Sequence, residues 1–337
     1  MATRFQRFGN DLYTGARSVD FVGKRKIWYS IAIVVLIASI IIPIAKGGFN
    51  FGIDFKGGSQ FQVSGVSTTE QSLAQNAVSS VAPDAVAQVT SVNNNGVRVQ
   101  TDQLSTDQSR RVADALAKAY DVRAKDVTSS YIGPSWGEDV SRQAIQGLVV
   151  FLLLAFIAMA LYFRTWKMSA AAILSLLHDL VLTAGIYALV GFEITPATMI
   201  GFLTILGYSL YDTVVVFDKI RENTSEEADR TRRTFSESVN LAVNQTLVRS
   251  INTGVVAALP VGAILFIGAL AFGADTLRDI SLSLFIGILI GTYSTIFIAA
   301  PLYAEFREPE AAIRKHDRKV LGARPKTSTE TAVAVAE

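Results

Sequence analysis

Six apolar runs, each long enough to cross a bilayer, constrain this chain more than any other feature. They cover residues 27–44, 144–163, 168–190, 194–217, 251–272 and 280–303. A membrane-spanning helix needs roughly 18 or more such residues, because only a helix satisfies its own backbone in lipid. Half of the residues are hydrophobic and 18% are charged. With a mean hydropathy of +0.36, this balance argues against a large soluble core. The first run is too long for the apolar part of a secretory leader. Pro43 and Lys46 follow it instead of a small-residue cleavage site, so it reads as an uncleaved anchor.

The net charge of +2 is nearly uninformative, but its placement is not. Lys24, Arg25 and Lys26 precede the first run, and Arg164 and Lys167 follow the second. Lys219, Arg221, Arg230, Arg232 and Arg233 follow the fourth; Arg307, Arg314, Lys315, Arg318 and Lys319 follow the sixth. The short loops at 191–195 and 273–279 contain a single basic residue, Arg278. The positive-inside rule therefore puts both termini in the cytoplasm of a multi-pass cell-membrane protein. Basic residues tied this regularly to span ends read as lipid-boundary anchors, and no nucleic-acid partner is expected. The chain has no cysteine and only two histidines, His178 and His316, so no disulfide, thiol chemistry, metal site or cofactor is expected.

These limits predict a cytoplasmic N-terminus (1–26), a first transmembrane helix (27–46) and an extracytoplasmic domain (47–141). Transmembrane helices two to six fill 142–304 with a cytoplasmic linker at 219–247, and a largely disordered cytoplasmic tail covers 305–337. Within 47–141, strand patterns occur near Phe61-Gln62-Val63, at 85–92, at 96–101 and at 125–131. Ser67-Thr68-Thr69-Glu70 has the spacing of a capping box for a helix to about Val81, and Ser105-Thr106-Asp107-Gln108 opens a second helix. The order βαββαβ is that of a small α+β ferredoxin-like unit. In the linker, Phe235, Val239, Ala242 and Val243 share a helical face suited to the membrane surface; a plain charged connector fits equally.

Ionisable groups inside spans cost roughly 2.5–3.5 kcal/mol each on insertion scales and mark function by default. Three lie well inside: His178, Asp179 and Asp212. Ser175, Asp179 and Thr183 recur every four residues, as do Thr204, Tyr208 and Asp212; Gln245, Arg249, Asn252 and Thr253 form a third stripe. These stripes predict that spans three, four and five meet around a polar core. Asp212 lies seven residues before Lys219, or roughly 10 Å of helix. Arg249, at the inner start of span five, is a candidate partner at matching depth. Burial and a permanent cation act on a carboxylate in opposite senses, and small helix movements shift that balance. A static packing pair is the competing reading. His178 and Asp179 point about 100° apart on a helix, so no hydrogen-bonded dyad is expected between them. Small residues also recur every four, at Ser283, Gly287, Gly291 and Thr295 and at Gly254, Ala258 and Gly262. That spacing serves close helix approach, within the chain or to a partner. Pro260 is expected to loosen the middle of span five.

The stretch Gly52-Ile53-Asp54-Phe55-Lys56-Gly57-Gly58, just after span one, resembles the GIDFxGG motif of the SecF family of protein-export membrane proteins. GYSLYDTVVVFDKIREN, residues 207–223, is similar to that family's fourth-span signature, GYSxNDxVVxxDRIREN. The His178-Asp179 pair and the QTLxRS stretch at 245–250 also fit. The sister SecD family has GLDLxGG and a Glu-containing run instead. Two positions depart from the pattern. Tyr211 stands where Asn is usual, and a phenol does not reproduce the amide's hydrogen bonds; Lys219 replaces Arg.

The resemblance implies an RND-like half that pairs with SecD beside the SecYEG translocon, together with a YajC-like subunit, in a lipid membrane. The assembly would use the proton motive force to complete export of preproteins. It also implies that Asp212 and Arg249 form a proton-pathway pair, to which the polar stripes add Asp179 and Tyr208, and that Asp54, Gly57 and Gly58 form a junction motif coupling span one to the domain. Asp54 would cap nearby backbone N–H groups there. Catalytic residues are not expected, because no nucleophile–base set or phosphate loop is present, and the chain reads as no enzyme. The alternatives are a subunit of an RND-type small-molecule or lipid exporter, which commonly carries two large porter loops, and a passive scaffold.

Overall fold

A computed structural model of the protein describes residues 4–92, 95–225, 233–269 and 275–324. Six helices are long and apolar enough to cross a membrane: Arg25–Ala45, Ser135–Phe163, Trp166–Val190, Pro196–Ser225, Phe235–Ile267 and Thr276–Arg307. They are called spans one to six below. Between spans one and two sits a four-stranded antiparallel sheet, β1 (Gly58–Ser64), β2 (Gln88–Val92), β3 (Gly96–Thr101) and β4 (Val127–Ile132), in the order β2-β3-β1-β4. Helices Gln71–Val81 and Thr106–Ala119 connect the strands, completing the expected ferredoxin-like order. β1 pairs with β3 and β4, with Phe61 opposite Val99 and Ser129.

Alternation of side chains along the strands builds this domain's core. Phe61, Val63, Val97 and Val99 face the helices and are fully buried with Val112 and Leu116. Helix Thr106–Ala119 starts with the capping box read from the sequence: Ser105 accepts from the Gln108 amide and Gln108 from the Ser105 amide. The other expected box does not form. Helix Gln71–Val81 is preceded by Glu70, with no side-chain cap bond; Glu70 instead accepts from the Ser72 hydroxyl. Asn93 and Asn94, between β2 and β3, lie outside the described residues.

The small-residue stripe of span six resolves into packing within the chain. A methyl group on Gly287 would lie 2.3 Å from Ile205 of span four, and one on Gly291 would lie 3.1 Å from Ser209. Gly201 in turn faces Ser283, and Thr213 meets Thr295 at 3.1 Å. Both helices thus present every fourth residue at one contact line, which draws their backbones together. Gly254 and Gly262 of span five likewise face Thr292 and Phe285. Pro260 lies inside span five, and a π-helical turn, Ile264–Ala269, follows it; span six has another at Thr295–Ala299.

Several expected boundaries change. Span two begins at Pro134, before the predicted 142. The linker at 219–247 is not a separate element: span four runs on to Ser225, and span five begins at Phe235. Arg230 and Arg232 lie outside the described residues, as do Phe272 and Gly273. Phe235, Val239, Ala242 and Val243 do not lie on a membrane surface. They are buried against Phe217, Ile220 and Tyr303 in the bundle, because the helices extend past the apolar runs and keep their packing face. The tail is not disordered throughout: Ala311–Ala323 is a helix that buries Ile313 and Val320. An N-terminal helix, Arg4–Thr14, buries Leu12. The segment after it is held on span five, where Asn240 accepts from the Phe21 amide and Asn244 from the Val19 amide.

Candidate functional site

Span four is the hub of the polar core. Its carboxylate Asp212 is 3% exposed. Oδ1 accepts a hydrogen bond from the Ser250 hydroxyl of span five at 2.9 Å. Oδ2 is buried without a hydrogen bond among the described residues. One residue on, Thr213 shares a hydroxyl contact with Thr295, at the start of the π-helical turn of span six. One turn earlier, Ser209 donates to Asp179 Oδ2 of span three at 2.7 Å. Ser209, Asp212 and Thr213 therefore tie span four to spans three, five and six through a buried polar line.

Asp179 is 2% exposed, and Ser175 and Thr183 on its stripe are buried as well. Its Oδ1 lies 3.2 Å from His178 Nδ1. This corrects the expectation of no dyad: both side chains turn back toward the same side, and the 100° between their Cα–Cβ bonds is bridged by rotamer choice. His178 Nε2, Ser175 Oγ and Tyr208 Oη are buried without a hydrogen bond among the described residues. Buried polar atoms without partners are costly, so their concentration in one core is informative.

The expected stripes are only partly realised. Thr204 is exposed and bonds its own helix at Ile200 O; the inward face of span four is instead Ser209–Asp212–Thr213. Asp212 and Arg249 form no salt bridge. Arg249 and Asn252 are exposed on span five, and the inward residue is the neighbouring Ser250. Gln245 joins Asn223 and the Tyr13 carbonyl, away from the core. Tyr211 is 58% exposed, so the departure from the usual Asn lies on the outside of the chain while Asp212 points in. Stripe spacing alone could not select between these faces, since a 3.6-residue period leaves two adjacent positions competing for each turn. Ser209, Ser250 and Thr295 were missed because lone hydroxyl residues are common in spans; their signal was their place beside Asp212 and within the small-residue line.

The junction motif folds into a short helix, Ile53–Lys56, capped by Gly52 without any side-chain cap bond. Asp54 therefore does not serve as the expected cap; it sits in the first turn. Burial pushes its carboxyl above the ordinary range, and the nearby Glu193 charge adds to the rise against the pull of Arg98. Gly57 and Gly58 have φ of 75° and 135°, and a side chain on Gly58 would strike Thr101 O, so the glycines are demanded by backbone. Unforeseen is the partner of this segment. The Gly52 amide donates to Ile194 O at 2.9 Å and the Ile194 amide to Asn50 O at 2.8 Å. Residue 194 lies in the turn between spans three and four. There Glu193 Oε2 accepts from Arg98 at 3.1 Å and Oε1 from Gln100 at 2.5 Å. Thr195 donates to Asp279, at the start of span six, at 3.0 Å. No group of metal-ligating side chains occurs among the described residues.

Comparison with known proteins bears on these contacts. The sequence matches the family model "Protein export membrane protein SecD/SecF, C-terminal" over residues 112–309 and the SecD/SecF GG motif over residues 44–65. It is 45% identical over 319 residues to the protein translocase subunit SecF of Streptomyces coelicolor, covering 94% of this chain and 84% of that protein. To the protein translocase subunit SecDF of Thermus thermophilus it is 32% identical over 301 residues, covering 87% of this chain and 39% of that one. The crystal structure of SecDF, a translocon-associated membrane protein from the same organism, superposes with a TM-score of 0.75 at 30% identity, again over 87% of this chain and 39% of that chain.

Proposed function

Since the chain belongs to the SecD/SecF family and is an auxiliary subunit of the Sec protein translocase, we propose that it works by the proton motive force, with Asp212 as the group that takes up and releases the proton. The observation that carries this reading is the state of that carboxylate. It is buried, one oxygen is held by Ser250, and the other has no hydrogen bond among the described residues. The free oxygen is where a proton adds. Protonation removes a buried charge from the meeting point of four spans, and loss of that charge alters which helix contacts are favourable. Asp179, with His178, offers a second buried carboxylate, held by Ser209, which lies about one helical turn before Asp212. Tyr208, whose hydroxyl is buried without a hydrogen bond among the described residues, lies one turn before Asp212 on the same helix.

Arg249 takes part from the outside. Thr204, Tyr211, Arg249 and Asn252 are exposed polar positions on spans four and five. A cation and an amide facing hydrocarbon are expensive, so these positions fit a covering by polar helices of a second subunit. SecD is that partner, and fusion of the two names in the SecDF relative supports the pairing. SecYEG, a YajC-like subunit and the exported preprotein complete the proposed assembly. Basic residues at the ends of spans two, four and six support an orientation with both termini cytoplasmic and the α+β domain outside. The chain acts as a transport component, with no catalytic residue assigned.

The test is proton uptake and client export in vesicles containing this chain, SecD and SecYEG. Asp212→Asn keeps the side chain's shape and is expected to abolish client-dependent uptake while the subunits still assemble. Uptake and export at the native level in that variant would make Asp212 a packing residue.

A further inference from the structure

Spans three and four each carry one buried carboxylate, Asp179 and Asp212, and one short turn joins them. That turn is rigidly held to both helices. The amides of Gly191 and Phe192 donate to Tyr187 O of span three, and the Thr198 amide of span four donates to Thr195 Oγ1. Any shift of one helix against the other therefore reaches residues 191–195 directly. The same turn grips the α+β domain, which is covalently attached only to spans one and two. Val97 and Val99 of β3 point to the helices of the domain, so Arg98 and Gln100 emerge on the opposite face. Both reach Glu193, and the Arg98 and Glu193 side chains are 7% and 11% exposed. The backbone exchange between Asn50, Gly52 and Ile194 flanks this clamp. Gly52 passes so close that a methyl group there would lie 2.7 Å from Glu193 Oε1.

We propose that Glu193, held by Arg98 and Gln100, is a positioning residue that hands movement of spans three and four to the α+β domain. This rests on the proton-driven reading above. A buried ion pair contributes little net stability, yet removal of one partner strands the other charge away from water. The contact is therefore a register-setting clamp that holds as a unit. It is unscreened and directional, unlike a surface pair. It also places the domain's tie at the turn between the two carboxylate-bearing helices, beside the Thr195–Asp279 bond to span six, in addition to the span-one junction.

The test uses the full chain with SecD, SecYEG and a client, and reads proton uptake and export in the same vesicles. Glu193→Gln and, from the opposite side, Gly52→Ala are expected to retain proton uptake and lose the export gain. The charge-swapped pair Arg98→Glu with Glu193→Arg is expected to recover part of it. Because the chain has no cysteine, spin labels on introduced cysteines at Val86 and Leu189, both well exposed, report domain position independently. Their distance distribution is expected to broaden in Glu193→Gln. Native export in Glu193→Gln, simultaneous loss of uptake and export, or an unchanged distance distribution would each overturn the clamp. Native vesicles without client-dependent uptake would overturn the proton-driven reading instead, and with it the coupling; the label distance still separates that failure from an absent clamp.

Discussion

The α+β domain has an apolar core that includes Phe61, Val63, Val97, Val99, Val112 and Leu116, with the buried Arg98 and Gln100 confined to the opposite face of its sheet. In the bundle, Ser175, Asp179, Thr183, Ser209, Asp212, Thr213 and Thr295 are buried just as deeply. The domain lies outside the apolar spans, and for such a unit removal of apolar surface from water drives folding at about 25 cal/mol per Å². The spans gain nothing from that source against lipid and associate through close packing and buried hydrogen bonds. The same degree of burial thus has two meanings. In the domain it is the source of stability. In the bundle it confines polar groups that stability alone does not require, and in the proposed proton-driven cycle Asp179 and Asp212 are the ones that change state.

The strongest way to break this contrast is to exchange its consequences. Phe61→Ala is expected to destabilise the domain by about 3–5 kcal/mol, seen as a lower unfolding temperature and faster proteolysis. Asp212→Asn is expected to leave unfolding nearly unchanged while client-dependent proton uptake falls by on the order of a hundredfold or more. Equal stability losses in the two variants would erase the distinction. Gly287→Leu sharpens it next. The side chain collides with Ile205 and is expected to cost about 1–3 kcal/mol, separating Thr213 from Thr295 and reducing uptake together with thermal stability. Ser209→Ala removes one donor to Asp179, with an expected cost of about 1–3 kcal/mol and a partial loss of uptake; native uptake would separate Asp179 from the pathway.

The smallest effect concerns pH at the boundary between the two regions. The Asp54 carboxyl is raised above its ordinary 3.8, first by burial and then by Glu193. Its folded form holds the proton more tightly than the unfolded chain. The stabilising contribution is complete below the unfolded value and is lost as pH rises through the folded one. Asp54→Asn is expected to flatten that segment of the stability–pH curve, read by thermal unfolding of the full chain. An unchanged slope would assign the pH dependence elsewhere.

Six spans, their order and the ferredoxin-like insertion were legible because each follows from a local pattern: run length, alternation, or a capping sequence such as Ser105 to Gln108. Asp212 and Asp179 were legible for a related reason, since a carboxylate in an apolar run is conspicuous without any neighbour. Their partners were not. Ser250 takes the inward place expected for Arg249, and Ile205 takes that of Thr204, because the choice between adjacent helical positions depends on where the neighbouring helices lie. Linear periodicity determined that a polar core and a domain exist. Only tertiary packing decided that Glu193 and Ile194 meet β3 and Gly52, since contacts between residues so far apart in the chain carry no local signature and arise when separately formed elements are brought together.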